Sequence, residues 1–298
     1  MGARTFSIIT VSKGRLDHLK QTLPRMLALG AAEVIVVDYS CPEGTGDYVQ
    51  EHFPEARVVR VEDETYFSNW KARNAGAAAA AGDMLVFCDA DTLLADNALE
   101  RIDEQTPDRS FGFFKRAATQ GFNKKGLRLA LNQLRGFHVI PTATFRAAQG
   151  YDELFEGYAA GADTDLEDRL IFIGLAPARL DPAIVEEVIQ HGNEERLEHH
   201  REPISLSYGT GLIYRTAKFA LLKIRRVPEI PLETRRNLYQ SARTAAKTLQ
   251  KEDSVALTVS ANKHAIGMPL QLGFESATLQ LSIRVDVAGK KRVDKAPD

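Results

Sequence analysis

Two carboxylates one residue apart, Asp89 and Asp91, close the apolar run Met84-Leu85-Val86-Phe87-Cys88. A run of that length bounded by polar residues reads as a buried strand, and it delivers both charges to the rim of a sheet. Carboxylates so close together, drawn partly out of water, need a cation or hydrogen-bond donors to offset them. A hard divalent ion with oxygen ligands is the usual one, so the chemistry predicted is a metal-diphosphate site. The plainer alternative is local: Asp89 caps the following turn and Asp91 is solvated, with Asp91-Thr92 leading to a helix near Asn97.

The elements that must position this pair follow from the pattern before it. Phe6 to Val11 is an apolar run, the leucines Leu16, Leu19, Leu23 and Leu27 recur at helical spacing, and Glu33 to Asp38 is a second apolar run. A shorter candidate strand covers Ala56 to Val61, and an alanine-rich helix runs from about Ser68 to Ala81. Strands alternating with helices argue an α/β fold with a parallel sheet covered on both faces. Ligands of such sheets bind at the carboxyl ends of the strands. Asp38 and the Asp89/Asp91 pair both end strands, so one crevice could receive all three. At the start of the alanine-rich helix stand Lys71, Arg73 and Asn74, where free N–H groups and positive side chains favour phosphate or carboxylate neighbours. A solvated helix face is the competing reading there. Small residues from Ala75 to Ala81, with Gly76, let this helix lie close on the sheet.

Taken together these residues resemble the family 2 glycosyltransferases with the GT-A fold. The resemblance covers roughly residues 5 to 200 and rests on Ile8 to Arg15, Val36 to Thr45, Ala72-Arg73-Asn74-Ala75-Gly76, Asp89-Ala90-Asp91 and Asp163-Thr164-Asp165-Leu166. The Lys13-Gly14-Arg15 and Asp38-Tyr39-Ser40-Cys41-Pro42 details look most like the galactosyltransferase-like branch. The resemblance implies a mostly parallel, Rossmann-like sheet flanked by helices.

It also implies roles. Asp38 would accept a hydrogen bond from the nucleotide base, with Thr10, Ser12 and Arg15 lining the same mouth; a turn-forming aspartate is the alternative. Asp89, with Ala90 beside it, would face the ribose or metal-bound water, and Asp91 would bind Mn2+ or Mg2+. Lys71 and Asn74 belong with the donor-binding set. His191, ending the extended stretch Ala183 to His191, matches the family's third metal ligand, a surface histidine being the alternative. Asp163 would deprotonate the acceptor hydroxyl, a role that needs burial or acceptor contact to raise its proton affinity; simple helix capping by Asp163 or Asp165 is the alternative. Where the family usually has glutamate just before this base, the sequence has Ala162, so Asp165 or Glu156 would supply the lost contact. Tyr158 resembles the aromatic that stacks under an acceptor ring, and is equally readable as a half-buried loop aromatic. Inversion at the anomeric carbon is the family's habit.

The chain has 298 residues, 44% hydrophobic content and a formal net charge of -2, which suits one large α/β domain with an appendage and gives no pull toward nucleic acid. Its two cysteines, Cys41 and Cys88, do not make a disulfide framework and fit a reducing compartment. No signal segment opens the sequence and no apolar run reaches membrane-spanning length, so a cytoplasmic location is expected.

The reading divides residues 1–202, the catalytic domain, from 203–288, a helical then β-rich region, and a charged tail, 289–298, expected to be disordered. In the second part Tyr214 to Arg226 is a basic amphipathic helix that would suit an anionic membrane at the inner face, or else pack on its own domain or a partner subunit of a homo-oligomer. A polar helix follows from about Leu232 to Lys251, and Val255 to Val259 and Thr278 to Val285 alternate like half-buried antiparallel strands. The function expected is metal-assisted transfer of a sugar from a nucleoside diphosphate donor, a UDP-sugar favoured, to a hydroxyl of a glycan or lipid-linked acceptor. Two rivals are a sugar nucleotidyltransferase, for which Ser12 to Arg15 is too poor in glycine, and an inactive glycan-binding domain of the same fold, for which Ala162 is the hint.

Overall fold

The computed structural model describes residues 4–114, 134–158, 160–190, 192, 198–249, 254–262 and 278–286. They form two compact units, residues 1–153 with 162–201, and residues 154–161 with 202–298.

The first unit opens β1 (Phe6–Ser12), α1 (Leu16–Ala28), β2 (Glu33–Tyr39), α2 (Thr45–His52), β3 (Arg57–Val61), α3 (Asn69–Ala79) and β4 (Met84–Phe87). It continues with β5 (Thr92–Leu94), α4 (Ala98–Gln105), β6 (Ser110–Phe113), β7 (His138–Pro141), α5 (Thr142–Ala147), α6 (Ala162–Phe172), β8 (Ala176–Arg179) and β9 (Val185–Val188). Seven strands make one sheet in the order β3-β2-β1-β4-β7-β6-β8. β3, β2, β1 and β4 run parallel, and β7 runs antiparallel to both of its neighbours. A separate antiparallel pair joins β5 to β9.

β1, β2 and β4 read as mostly apolar runs because both faces of the sheet are covered there, whereas the edge strand β3 carries two exposed arginines. Ile8, Val34, Val36, Met84 and Val86 pack with Leu19, Leu23 and Met26 of α1 and with Leu99 and Ile102 of α4. On the opposite face α3 approaches until a Cβ at Gly76 would stand 2.6 Å from Ile9 Cγ2, the close contact its small residues predict. The Ser68 hydroxyl caps α3 by accepting from the N–H of Lys71. The strand Met84 to Asp91 read from sequence ends at Phe87, and the stretch read as a connection to Asn97 contains β5, which needs β9 as its partner. A three-residue strand paired with one far along the chain leaves no periodic signal of its own.

The second unit contains α7 (Ile204–Arg225), α8 (Leu232–Leu249) and an antiparallel hairpin of β10 (Ser254–Asn262) with β11 (Thr278–Asp286). Helix α7 begins ten residues before the basic segment that suggests it, because Ser, Gly and Thr between Ser205 and Gly211 disguise its apolar face. Tyr214 is fully buried between the rings of Phe155 and Tyr239, and Lys218 makes a buried ion pair with Glu229 at 2.8 Å. Gly211 lies against the Ala160 carbonyl so closely that a Cβ would fall 1.6 Å from its oxygen. Backbone cannot rotate aside as a side chain can. Gly211→Ala is therefore expected to destabilise the protein by about 1–3 kcal/mol despite alanine's better helix propensity, read as a lower urea midpoint. The tail 289–298 lies outside the described residues.

Candidate active site

At the carboxyl end of β2, Asp38 is buried, with both oxygens engaged by backbone: Oδ1 accepts from the N–H of Cys41 and Oδ2 from that of Gly46, each at 2.8 Å. The Arg60 guanidinium lies 3.6 Å from Oδ2. Asp38 thus builds the turn into α2, and its remaining lone pairs are what it could offer a ligand. Ser12 is buried on the Thr45 hydroxyl at 3.0 Å, and the buried Thr10 hydroxyl has no hydrogen-bond partner among the described residues. Arg15, half-buried, bonds the Gly14 carbonyl at 3.0 Å and immediately precedes α1. Gly14 takes φ +65, a conformation that favours glycine, and its missing Cβ leaves room for His199, whose Nε2 would otherwise be 2.4 Å away. The Phe67 N–H donates to the His199 carbonyl at 2.8 Å, so residues 198–201 fold back over the end of β1. Burial, with His199 and Arg15 adding positive charge nearby, lowers the His200 imidazole to about 4, and it is neutral at physiological pH.

Beyond β4 the acidic pair divides its duties. Arg73 of α3, 1% exposed, donates from Nη2 to Asp89 Oδ1 at 2.5 Å and from Nη1 to the Gly136 carbonyl at 2.5 Å and the Tyr151 hydroxyl at 3.2 Å. The same Nη1 lies 3.8 Å from Asp163 Oδ1 on the first turn of α6. Burial works against the guanidinium charge, but Asp89, Tyr151 and Asp163 outweigh it and hold Arg73 above its ordinary range. Past Tyr151 the chain of polar contacts continues to the buried His138, whose Nδ1 is 3.1 Å from the Tyr151 oxygen and whose Nε2 is 3.2 Å from Glu167. A neutral ring satisfies every link if Tyr151 accepts from Arg73 and donates to Nδ1 while Nε2–H donates to Glu167, and a protonated ring does so by donating from both nitrogens.

Asp163 sits at the centre of this network as its least satisfied member. Its Oδ1 is buried and accepts no hydrogen bond among the described residues. Burial raises its proton affinity, His138 and Arg73 pull it back, Asp89 and Glu167 push it up, and it comes to about 6. A carboxylate with that affinity, 20% exposed, can take a proton from a bound hydroxyl near neutral pH.

Asp91 is half-buried and one residue past the buried Ala90, whose carbonyl accepts from the Thr22 hydroxyl at 2.8 Å. The Thr92 hydroxyl lies 3.3 Å from Asp91 Oδ1, and the N–H of Ile189, just past β9, donates to the Asp91 carbonyl at 2.8 Å. The end of β9 is thereby fastened beside the acidic pair; His191, two residues further along the sequence, lies outside the described residues. Cys41 and Cys88 are free thiols, the latter pushed well up by burial and by Asp89 and Asp91.

The remaining expected residues have protein partners. Lys71 pairs with Glu64 at 3.0 Å. Asn74 spends both amide protons on the Tyr151 carbonyl and Glu153, and its oxygen accepts from the N–H of Tyr151. Asp165, 2% exposed, binds Arg169 at 2.8 Å, and Arg169 in turn holds the Ala148 and Gly150 carbonyls. Tyr158, 39% exposed, belongs to the second unit. Sequence reasoning missed His138, Tyr151 and Glu167. Their available signals were a histidine inside the apolar run Phe137 to Ile140 and a glutamate one helical turn after Asp163.

Residues 7–110 match the family model described as Glycosyl transferase family 2. No curated protein matches the chain. Among solved structures, S. aureus TarS 1-349 in complex with UDP-GlcNAc is 14% identical, with a TM-score of 0.54 over 82% of this chain and 73% of that one. The mannosyltransferase PcManGT from Pyrobaculum calidifontis, in complex with GDP-Man and Mn2+, is 12% identical, with a TM-score of 0.51 over 84% of this chain and 76% of that one. These likenesses establish the fold, a GT-A arrangement of the mixed seven-stranded sheet, and the match to the family 2 glycosyltransferase model lies on residues 7–110, from β1 to the start of β6.

Proposed function

We propose that this glycosyltransferase moves a sugar from a nucleoside diphosphate donor, a UDP-sugar by preference, to a hydroxyl of a glycan or lipid-linked acceptor, with inversion. The observation that carries the reading is the buried oxygen of Asp163 that accepts no hydrogen bond among the described residues, with its raised proton affinity, tied by charge to Arg73 and through it to Asp89. In an inverting displacement one carboxylate takes the acceptor proton as the new bond forms, and the leaving diphosphate needs its charge offset on the other side. Asp163 supplies the first. The nucleotide end is assigned to the mouth formed by Thr10, Ser12, Arg15 and Asp38, where the lone hydroxyl of Thr10 invites a ligand. Asp89 is held in one orientation by Arg73, pre-set toward a ribose.

A divalent ion suits the residues present. Asp91 offers a carboxylate oxygen of the hard kind that manganese and magnesium take, on a backbone fastened by the Ile189 N–H to its carbonyl; His191, outside the described residues, is assigned as a further ligand from the resemblance alone. Bound there, Mn2+ or Mg2+ would offset the charge of the departing diphosphate. The mannosyltransferase PcManGT, in complex with Mn2+, supports that assignment by analogy of fold. The Lys13-Gly14-Arg15 and Asp38 to Pro42 details support the galactosyltransferase-like branch, and no helix among the described residues is long and apolar enough to cross a membrane.

The test is donor hydrolysis and calorimetric donor binding across UDP- and GDP-sugars, with and without manganese. Release of nucleoside diphosphate is expected, and manganese should tighten donor binding by about tenfold or more, a gain that Asp91→Asn abolishes. Pyrophosphate chemistry, silence across the panel, or an unchanged manganese effect in Asp91→Asn would overturn the proposal.

A further inference from the structure

We propose that the outer face of α7 is a docking surface for anionic phospholipid. Three of the seven large apolar side chains exposed among the described residues stand on this one helix: Ile204 at 38%, Tyr208 at 57% and Leu212 at 45%. They are spaced i, i+4 and i+8, which stacks them along a single stripe. The half-buried Phe219 extends the stripe by two further turns, and Lys223 lies over its ring at 5.0 Å. Helical spacing puts Arg215 and Lys223 on the same side, and Arg226 ends the helix in the left-handed conformation with φ 53.

The charge pattern selects the occupant. Helix α7 carries Arg215, Lys218, Lys223 and Arg225 and no aspartate or glutamate. Lys218 is consumed by its buried pair with Glu229, so the outward charge of the helix is wholly cationic. A second copy laid on this face by a two-fold axis would meet the same side chains and find no carboxylate on the helix for its cations. An anionic lipid surface answers both features at once, taking the apolar stripe below the headgroups and pairing the basic side chains with phosphates, with Tyr208 suited to the boundary. Because the helix lacks the length of unbroken apolar sequence for spanning, the contact lies along the surface. This surface is independent of the donor site, and its test reads vesicle binding, so its failure would leave the sugar-transfer reading standing.

The full chain should co-sediment with phosphatidylcholine vesicles containing phosphatidylglycerol, less so as salt rises, and not with phosphatidylcholine alone. Lys223→Glu with Arg226→Glu should weaken this by about 30-fold or more. Tyr208→Glu with Leu212→Glu should abolish it. Both variants should keep the wild-type urea midpoint and donor hydrolysis without vesicles. Equal binding to neutral vesicles, no binding at all, or variants that bind like wild type would overturn the proposal. So would a concentration-dependent dimer that Leu212→Glu dissolves, which would make a second copy the occupant.

Discussion

Asp163→Asn is expected to reduce sugar transfer by about 100- to 10,000-fold while leaving donor affinity, measured by calorimetry, unchanged. The asparagine is nearly isosteric and keeps the first turn of α6, so what is lost is a proton acceptor rather than a shape. The wild-type rate should climb as pH passes through about 6 and flatten above it, because the base works deprotonated.

Stability should move the opposite way to activity. An aspartate whose folded-state affinity is raised from 3.8 to about 6 keeps its proton where the unfolded chain has lost it. The native state therefore binds more protons between those values, and stability falls as pH rises through that window. Above it the charge is a standing cost whose upper bound is about 3 kcal/mol. Asp163→Asn removes that cost, so the variant should be more stable than wild type by about 1–3 kcal/mol at about pH 8 and should lose the advantage at about pH 4, by urea titration at both. An inactive variant with no alkaline gain would mean that Asp163 is not buried as a charge. A fully active one would remove it from the chemistry.

The difference between what the residues announce and what they conceal lies in the range of the interactions. The strands observed at Phe6–Ser12 and Glu33–Tyr39 were readable as the runs Phe6 to Val11 and Glu33 to Asp38 because a strand covered on both faces is mostly apolar, a property of each run alone. The Asp163 to Asp165 pair at a helix start was readable for the same reason. The partners that decide what these carboxylates do were not. Arg73 reaches Gly136 across 63 positions and Tyr151 across 78, and no spacing rule connects them. Asn74 looked available for a phosphate because a polar side chain on a helix's first turns resembles any other, whereas its amide is fastened to Tyr151 across 77 positions. Asp165 differs: Arg169 follows it at i,i+4, a local ion pair that spacing could have revealed.

Arg73→Ala should be the most destabilising substitution in this network, costing about 3–5 kcal/mol in urea unfolding, because it strands buried charge that the guanidinium offsets. Asp163 would lose the cation 3.8 Å from a buried oxygen, Asp89 would lose its 2.5 Å donor, and the Gly136 carbonyl and Tyr151 hydroxyl would lose theirs. Arg73→Lys keeps the charge but cannot fork between Asp89 and Gly136, so it should recover only part of the loss. The activity that survives should shift its pH dependence upward, since Arg73's share of the attraction that, with His138, holds Asp163 down to about 6 has gone. The decisive comparison is the double substitution. If Arg73 stabilises the fold chiefly by neutralising Asp163 and Asp89, then Asp163→Asn placed in Arg73→Ala should stabilise by more than it does in wild type, a coupling of about 0.5–3 kcal/mol. Strict additivity would reduce Arg73 to a packing residue and sever the tie between Asp89 after β4 and Asp163 on α6.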